Sequence, residues 1–244
     1  MTVAAVILAA STESALADIE GQARVRRLVD IAWAGGAVPI LVCAPDPDGA
    51  VVRALADAPV SYASPAPFEA GPVGQIVRVI EAAIAEVRET DAALVWPARY
   101  VWVDPETVTS LIEAHGVHPE ALLRPTFDGE VGWPALVPVS CVSALRGLDA
   151  SRMPGELMDD LVAAGVPEVR LDLGDPGATH DVGTARADLP PFDGPGGAVS
   201  TRVHEWGEAA AAVVGRGDVK ADRPLEGPGL APFAQAEDPE ADAD

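Results

Sequence analysis

Residues 1–11, Met1-Thr-Val-Ala-Ala-Val-Ile-Leu-Ala-Ala-Ser11, open the chain with a continuous apolar run that ends in a small polar residue. An unbroken run of this length is typical of a central parallel strand that is covered on both faces. In many α/β proteins the turn after such a strand holds a nucleotide phosphate. This turn is poor in the residues that bind phosphate, because glycine first occurs at Gly21, arginine at Arg24 and lysine at Lys220.

Further apolar runs alternate with segments of helical periodicity. The clearest helix is predicted at Pro72–Val87, where apolar residues recur every three or four positions. Asp104-Pro105-Glu106 has the residue types favoured at a helix start. The alternation predicts an α/β domain of three layers, a mostly parallel twisted sheet with helices on both faces, and a hairpin or antiparallel edge near Asp128–Pro134. Strands are predicted at Val3–Ala10, Val38–Cys43, Ala92–Trp96, Leu122–Phe127, Ala135–Val139 and Val169–Leu173, and further helices at Gln22–Ala34, Ala50–Ala56 and Pro154–Ala164.

The composition changes after Leu189, where proline, glycine and acidic residues become frequent. We expect one folded domain over residues 1–190, a linker over 191–200 and an amphipathic helix over 201–214. Residues 215–244 have too few large apolar side chains to fold alone, so they are predicted to form a disordered acidic tail.

The net charge of −22 argues against a protein that binds nucleic acid or an anionic membrane, because both need clustered Lys or Arg. No apolar run is long enough to span a bilayer, and the start lacks the basic residues of a signal peptide. The two cysteines, Cys43 and Cys141, are far apart and are predicted to be buried and reduced. These features predict a cytoplasmic protein.

Ligands of open parallel sheets bind beyond the carboxyl ends of the strands. The turns after Ala10, Cys43, Trp96 and the last predicted strand are therefore the candidate site. Six short motifs occur one after another over roughly residues 3–190. They are Val6–Ala10, Gly21 with Arg24–Asp30, Gly71–Gln75, Ala92–Pro97 with Val103–Val108, Arg124–Pro134, and His180–Thr184 with Asp188. This set resembles the MobA-like nucleotidyltransferases, and most closely their molybdenum-cofactor cytidylyltransferase branch.

The resemblance implies a fold like that of the nucleotide-diphospho-sugar transferases. The implied reaction transfers a nucleotidyl group from CTP or GTP to a phosphorylated cofactor such as molybdopterin, with Mg²⁺ as cofactor. Trp133 could stack on a base or pterin ring, or cap the core. The residues implied are Leu8, Ala9, Ala10, Ser11, Gly71, Gln75, Pro97 and Arg99 for the nucleotide, Gly132, Trp133 and Pro134 for the second substrate, and Asp181 for the metal.

The loop after the first strand departs from the family pattern. Family members continue from L-A-A-G with x-S-x-R-M-G and then a lysine; the glycine lets the backbone approach the triphosphate, and the bases offset its charge. Residues 11–18 of this chain carry two acidic residues and no base. Arg24, Arg26 or Arg27 could reach back to this loop, or their helical spacing could place them on a solvated face.

Both acidic positions that serve Mg²⁺ in the family have also changed. Aligned on Pro97 and Asp104, the Asp of the P-x-D-x-P motif is Arg99, and the later Asp of D-x-D-T is Gly183. Mg²⁺ takes oxygen ligands, so a guanidinium cannot bind it, although its charge can stand in the place of the metal. Asp181 remains, either as a metal contact or as an acid at a turn.

Two functions stay open at this point. One is an active nucleotidyltransferase, and the other is a non-catalytic binding or regulatory partner of a molybdenum-cofactor transferase or enzyme. The departures favour weak or absent catalysis, with a nucleotide or pterin-type small molecule as ligand. A third hypothesis is an interaction protein whose acidic tail, Glu237–Asp244, recruits a basic partner.

Overall fold

A computed structural model describes residues 2–195. The strands are β1 (Thr2–Leu8), β2 (Asp18–Ile19), β3 (Gln22–Ala23), β4 (Ile40–Cys43), β5 (Ser61–Ala63), β6 (Thr90–Pro97), β7 (Leu122–Phe127), β8 (Glu130–Val131), β9 (Ala135–Pro138) and β10 (Glu168–Asp172). The helices are α1 (Thr12–Leu16), α2 (Arg24–Ala34), α3 (Ala50–Ala54), α4 (Gly71–Glu86), α5 (Pro105–Val117), α6 (Val142–Leu145) and α7 (Pro154–Ala163). Strands and helices alternate as the sequence predicts.

One large mixed sheet forms the middle layer. Its strand order is β10-β7-β9-β6-β1-β4-β5, with β8 paired to β7. The pairs β1–β4, β1–β6, β4–β5 and β10–β7 are parallel, which confirms the mostly parallel sheet. The hairpin predicted near Asp128 forms between β7 and β8, and β9 lies inside the sheet, antiparallel to both of its neighbours.

Both faces of β1 are buried, which explains the continuous apolar run that begins at Val3. Ala5 and Ile7 face one core, which α2 and α5 cover, while Ala4 and Val6 face a second core, which α4 and α7 cover. All four side chains are fully buried. Since each face of the strand meets a helical layer, its buried positions, Val3–Ile7, are all apolar, and the predicted three-layer architecture is confirmed.

The segment after β1 differs from the open phosphate turn suggested by the sequence. Ser11 caps α1, and its hydroxyl accepts a hydrogen bond of 3.1 Å from the backbone N–H of Ser14. The predicted helix at Gln22–Ala34 begins two residues late, because Gln22 and Ala23 pair with β2 in a separate two-stranded sheet. The short elements α1, β2, β3, β5 and α6 are not predicted by the sequence.

The C-terminal predictions fall mostly outside the described residues. The predicted helix over 201–214 and tail over 215–244 lie there entirely, and only residues 191–195 of the predicted linker are described. Within those, the backbone N–H of Asp193 donates to the carbonyl oxygen of Gly174 at 3.1 Å. Between residues 2 and 195, no helix is long and apolar enough to cross a membrane.

Candidate functional site

A cavity of about 910 Å³ lies at the carboxyl ends of β1, β4 and β6. The chain runs from β1 to β4 and β5 on one side and then returns to β6 on the other, so the cavity occupies the topological switch point of the sheet. Its walls are mainly apolar, and Arg99 is the charged side chain among the described residues that line it. The predicted site residues found in its walls are Leu8, Ala9, Ala10, Gly71, Gln75, Pro97, Arg99 and Trp133.

The other predicted residues lie behind these walls. Ser11 caps α1. Gly132 donates its backbone N–H to the carbonyl of Pro125, and a Cβ at Gly132 would lie 2.4 Å from the carbonyl oxygen of Ala178. Pro134 follows Trp133 through a cis peptide bond. Ser11, Gly132 and Pro134 are therefore next to lining residues in the chain or the fold, but they are not among the residues that line the cavity.

Gln75 stands where the family has serine, and its side chain is used within the protein. Its amide oxygen accepts from the Ala66 N–H at 2.7 Å, and its amide nitrogen donates to the Ala66 carbonyl at 3.0 Å. The thiol of Cys43 lies 3.8 Å from the same amide oxygen. Gln75 therefore fixes the loop that forms one wall of the cavity.

Arg99 and Asp181, which align with the family motifs that hold the metal, form an ion pair at the cavity. The Arg99 Nε donates to the Asp181 Oδ2 at 2.8 Å, and Nη2 donates to the same oxygen. The second carboxylate oxygen accepts from the Gly183 N–H at 2.8 Å. The hydrogen bond from Arg99 lowers the pKa of Asp181, and the same bond raises the pKa of Arg99. Both groups are consequently charged at neutral pH.

Arg24 supplies a second guanidinium that the family pattern does not have. Its Nη1 donates to the Ser14 hydroxyl at 3.0 Å, and its Nε is buried without a hydrogen-bond partner in the described part of the chain. Burial lowers the pKa of Arg24, and the charge of Asp181 opposes that shift. Of the three arginines considered, Arg24 reaches back to the loop, whereas Arg26 and Arg27 pair with nearby acids.

The residues present do not fit the magnesium site that the family resemblance implies. Mg²⁺ needs several oxygen ligands at near-octahedral positions. Arg99 and Gly183 occupy the two acidic positions, and Arg99 bonds the remaining carboxylate, Asp181. Over residues 2–195, no three His, Cys, Asp or Glu side chains cluster closely enough to hold a metal ion.

An aromatic wall lies beside Arg99. The Arg99 guanidinium is 5.7 Å from the Tyr100 ring centroid, and the Tyr100 and Trp133 rings are 6.1 Å apart at an angle of 35°. Trp133 is only 7% exposed, so it packs in the core and also lines the cavity. Phe68 and Met153, at 93% and 58% exposure, complete the lining.

Sequence reasoning missed Tyr100, Phe68 and Met153. The position of Tyr100, just beyond the β6 strand end, could have identified it. Phe68 begins a 3₁₀ helix of three residues, and Met153 is the N-cap residue of α7, so neither position has a periodic signal.

Similar structures share this fold. Rv0371c from Mycobacterium tuberculosis, in a complex with manganese, is 20% identical with a TM-score of 0.52, over 70% of this chain and 89% of that one. The 2-C-methyl-D-erythritol 4-phosphate cytidylyltransferase from Thermus thermophilus is 18% identical with a TM-score of 0.54, over 78% and 96%. The 4-diphosphocytidyl-2C-methyl-D-erythritol synthase from Anaerococcus prevotii is 9% identical with a TM-score of 0.55, over 76% and 92%.

No curated protein shows significant sequence similarity to this chain. A sequence profile of a single family matches residues 10–168, which is more than half of the chain and contains the cavity walls from Ala10 to Gly155. The ordered motifs, the switch-point cavity and the fold of the similar structures agree with that match. The chain belongs to the family described as the MobA-like NTP transferase domain.

Proposed function

We propose that this protein binds a nucleotide, or a related phosphorylated heteroaromatic compound such as a pterin, in the switch-point cavity, and that its nucleotidyl transfer is weak or lost. The observation that carries the proposal is the ion pair between Arg99 and Asp181, which takes the place of a metal site. The protein would then act as a binding or regulatory partner of a molybdenum-cofactor transferase or enzyme.

Loss of the metal ligands is expected to affect transfer more than binding. In nucleotidyl transfer, a substrate phosphate attacks the α-phosphorus of the nucleotide and pyrophosphate leaves. Catalysis depends on groups that neutralise the charge that develops in the transition state. Removal of one such preorganised group typically slows a reaction about a hundredfold to a thousandfold. The cavity keeps its apolar and aromatic walls, so it keeps the means to hold a ring.

Arg24 favours a second candidate, an active transferase with CTP or GTP as donor and a phosphorylated pterin such as molybdopterin as acceptor. Its guanidinium lies at the loop where the family places bases, held by the Ser14 hydroxyl. In that case Arg24 and Arg99 together would neutralise the phosphates.

Thermal unfolding of the full chain with CTP, GTP or ATP, alone and with MgCl₂, tests the binding proposal. Ligand at about 100 times its dissociation constant stabilises a protein by about 2.7 kcal/mol, which is a measurable rise in Tm. We expect a rise with at least one nucleotide. No rise with any of them, at millimolar concentration, contradicts the proposal.

Pyrophosphate release, measured in the same samples with a phosphorylated pterin as acceptor, separates the two candidates. We expect no release above the rate of a protein-free control. Steady release that Arg24→Gln abolishes would instead establish the transferase.

A further inference from the structure

The charges around the cavity differ from those of a metal-dependent site. Among the residues that the structure describes, Arg99 is the charged member of the lining, and Arg24 lies directly behind Ser14, which also lines it. Both guanidinium groups interact with Asp181. Arg99, Arg24 and Asp181 together carry a net charge of about plus one, and the two acidic residues of the loop, Glu13 and Asp18, are outside the cavity lining.

Asp181 fixes the position of Arg99 without using all of its donors. A guanidinium has five N–H donors in one plane. Within residues 2–195, Asp181 accepts from Nε and Nη2, so Nη1 and the second hydrogen of Nη2 are left for a ligand. The side chain is 61% exposed, and it lines the cavity, so a ligand can reach these donors. Two parallel N–H donors match the oxygens of a phosphoryl group.

The rest of the cavity limits the size of the anionic part of the ligand. A single phosphoryl group carries about −1.5 to −2 charges at neutral pH, and the net charge of these three groups, near plus one, offsets about half to two thirds of it. A triphosphate carries more negative charge, and the remaining walls offer it chiefly alanine, proline and aromatic side chains. The Tyr100 and Trp133 rings lie beside Arg99 and suit a planar ring attached to the phosphoryl group.

We propose that Arg99, held by Asp181, takes the place of a divalent cation in this cavity, so that the site binds one phosphoryl group on a heteroaromatic body, as in a nucleoside monophosphate, without Mg²⁺. This inference rests on the proposed nucleotide-binding function and specifies its ligand and its independence of metal. Arg24 and Ser14 complete the anion site on the side of α1.

Isothermal titration of the full chain with CMP, GMP and AMP, and with CTP, tests this assignment in excess EDTA and in excess MgCl₂. At least one monophosphate is expected to bind with the same Kd in both buffers, and more tightly than CTP. Binding that Mg²⁺ strengthens tenfold or more, about 1.4 kcal/mol, would overturn the metal-free site but leave nucleotide binding intact. No binding of any nucleotide in either buffer would overturn the proposed function as well.

Three variants test whether Arg99 binds the monophosphate. Arg99→Gln is expected to raise the Kd of the monophosphate about tenfold, which corresponds to about 1.4 kcal/mol. Arg99→Asp places a second carboxylate beside Asp181, and we expect it to lose metal-free binding and to gain heat of binding for Mn²⁺ titrated alone. Arg146→Gln is the matched control, because Arg146 is a similarly exposed arginine, paired with Glu81, outside the cavity lining.

The control is expected to keep the Kd of the wild-type chain, and circular dichroism checks that each variant is folded. An unchanged Kd in folded Arg99→Gln would overturn the role of Arg99. Binding of Mn²⁺ to the wild-type cavity, lost in Asp181→Asn, would show that the ion pair opens to admit a metal and would also overturn the proposal.

Discussion

Cys43 is the thiol in the described walls of the cavity, and its surroundings suppress its reactivity. It ends β4, is 4% exposed and lies beside the Gln75 amide. Burial raises the pKa of its thiol to about 11, against a smaller opposing effect of the Arg78 charge. At pH 8 about one thiol in a thousand is then ionised, and the thiolate is the form that reacts with alkylating agents.

We predict that iodoacetamide modifies Cys43 slowly at neutral pH. The rate should rise about tenfold per pH unit from about pH 7.5 to 9.5, because the thiolate fraction rises in that proportion below the pKa. Mass spectrometry of the Cys141→Ala chain measures Cys43 alone, and Cys43→Ala supplies the blank. A rate that levels off before about pH 9.5 would mean that the thiol has an ordinary pKa of about 8.5.

At the scale of residues, the contact between Arg24 and Ser14 could not be predicted from the sequence. Its spacing with Arg26 and Arg27 suggests one exposed helix face. Arg24, however, is the first residue of α2, and side chains of a helix tilt toward its N-terminus. A long side chain at this position therefore reaches the preceding segment, here Ser14 of α1. The reach depends on where the helix starts, and periodicity locates helix ends only to within a few residues.

At the scale of elements, Asp175 joins the start of α5 to the turn that leads to Asp181. It is 2% exposed, and its Oδ2 accepts from the Asp104 N–H at 2.9 Å and from the Thr107 hydroxyl at 2.7 Å. Its Oδ1 accepts from the Gly177 N–H at 2.8 Å. A single carboxylate thus satisfies donors from two segments that meet behind the cavity.

We predict that Asp175→Asn lowers the free energy of unfolding by about 1–3 kcal/mol. The variant has one acceptor oxygen, and its amide N–H₂ must face at least one buried donor, which leaves that donor unsatisfied. Urea denaturation at neutral pH measures the loss. The matched control is Asp172→Asn, an exposed aspartate at the end of β10, for which a change within about 0.5 kcal/mol is expected. Equal stability of the two variants would contradict the role of Asp175.

The elements that sequence reasoning located share a strong local signal. Residues Val3–Leu8 of β1 are apolar because both faces of the strand are buried. In α4 the apolar residues repeat at helical spacing, and Asp104 caps α5 as predicted, with its side chain 2.9 Å from the Glu106 N–H. The elements that were not predicted, α1, β2, β3, β5 and α6, are two to five residues long. Tertiary contacts decide such short elements, and no periodicity can show over one turn.

At the scale of the whole molecule, the site follows from topology more than from any single motif. β1 has parallel neighbours on both sides, so three strands end at one edge and their following loops diverge. The cavity is the space between those loops, and this placement was predictable from the order of strands. The charged end of the cavity combines the guanidinium of Arg99 and the carboxylate of Asp181. These two residues could be paired from the sequence only by alignment with the family motifs, because they are 82 residues apart.

The extent of the folded domain is also a property of the whole molecule. Among the described residues, backbone contacts continue past residue 190, where composition predicts the end of the folded domain. The added residues contact the turn after β10: Asp193 donates to the Gly174 carbonyl at 3.1 Å. Gly174 has a φ of +61°, and a Cβ there would lie 2.1 Å from the carbonyl oxygen of Gly194. Residues 193 and 194 pack against that turn only because position 174 has no side chain.

We predict, therefore, that a chain ending at Ala198 unfolds with the Tm of the full chain, whereas one ending at Pro190 is less stable by about 0.5–1.5 kcal/mol, the usual net contribution of one hydrogen bond. Urea and thermal unfolding of the three chains measure this. Gly174→Ala in the full chain is the companion test, because it blocks the same contact from the other side and strains a positive φ. Equal stability of the two shortened chains would place the boundary at 190 and would show that residues 191–198 add nothing to the fold.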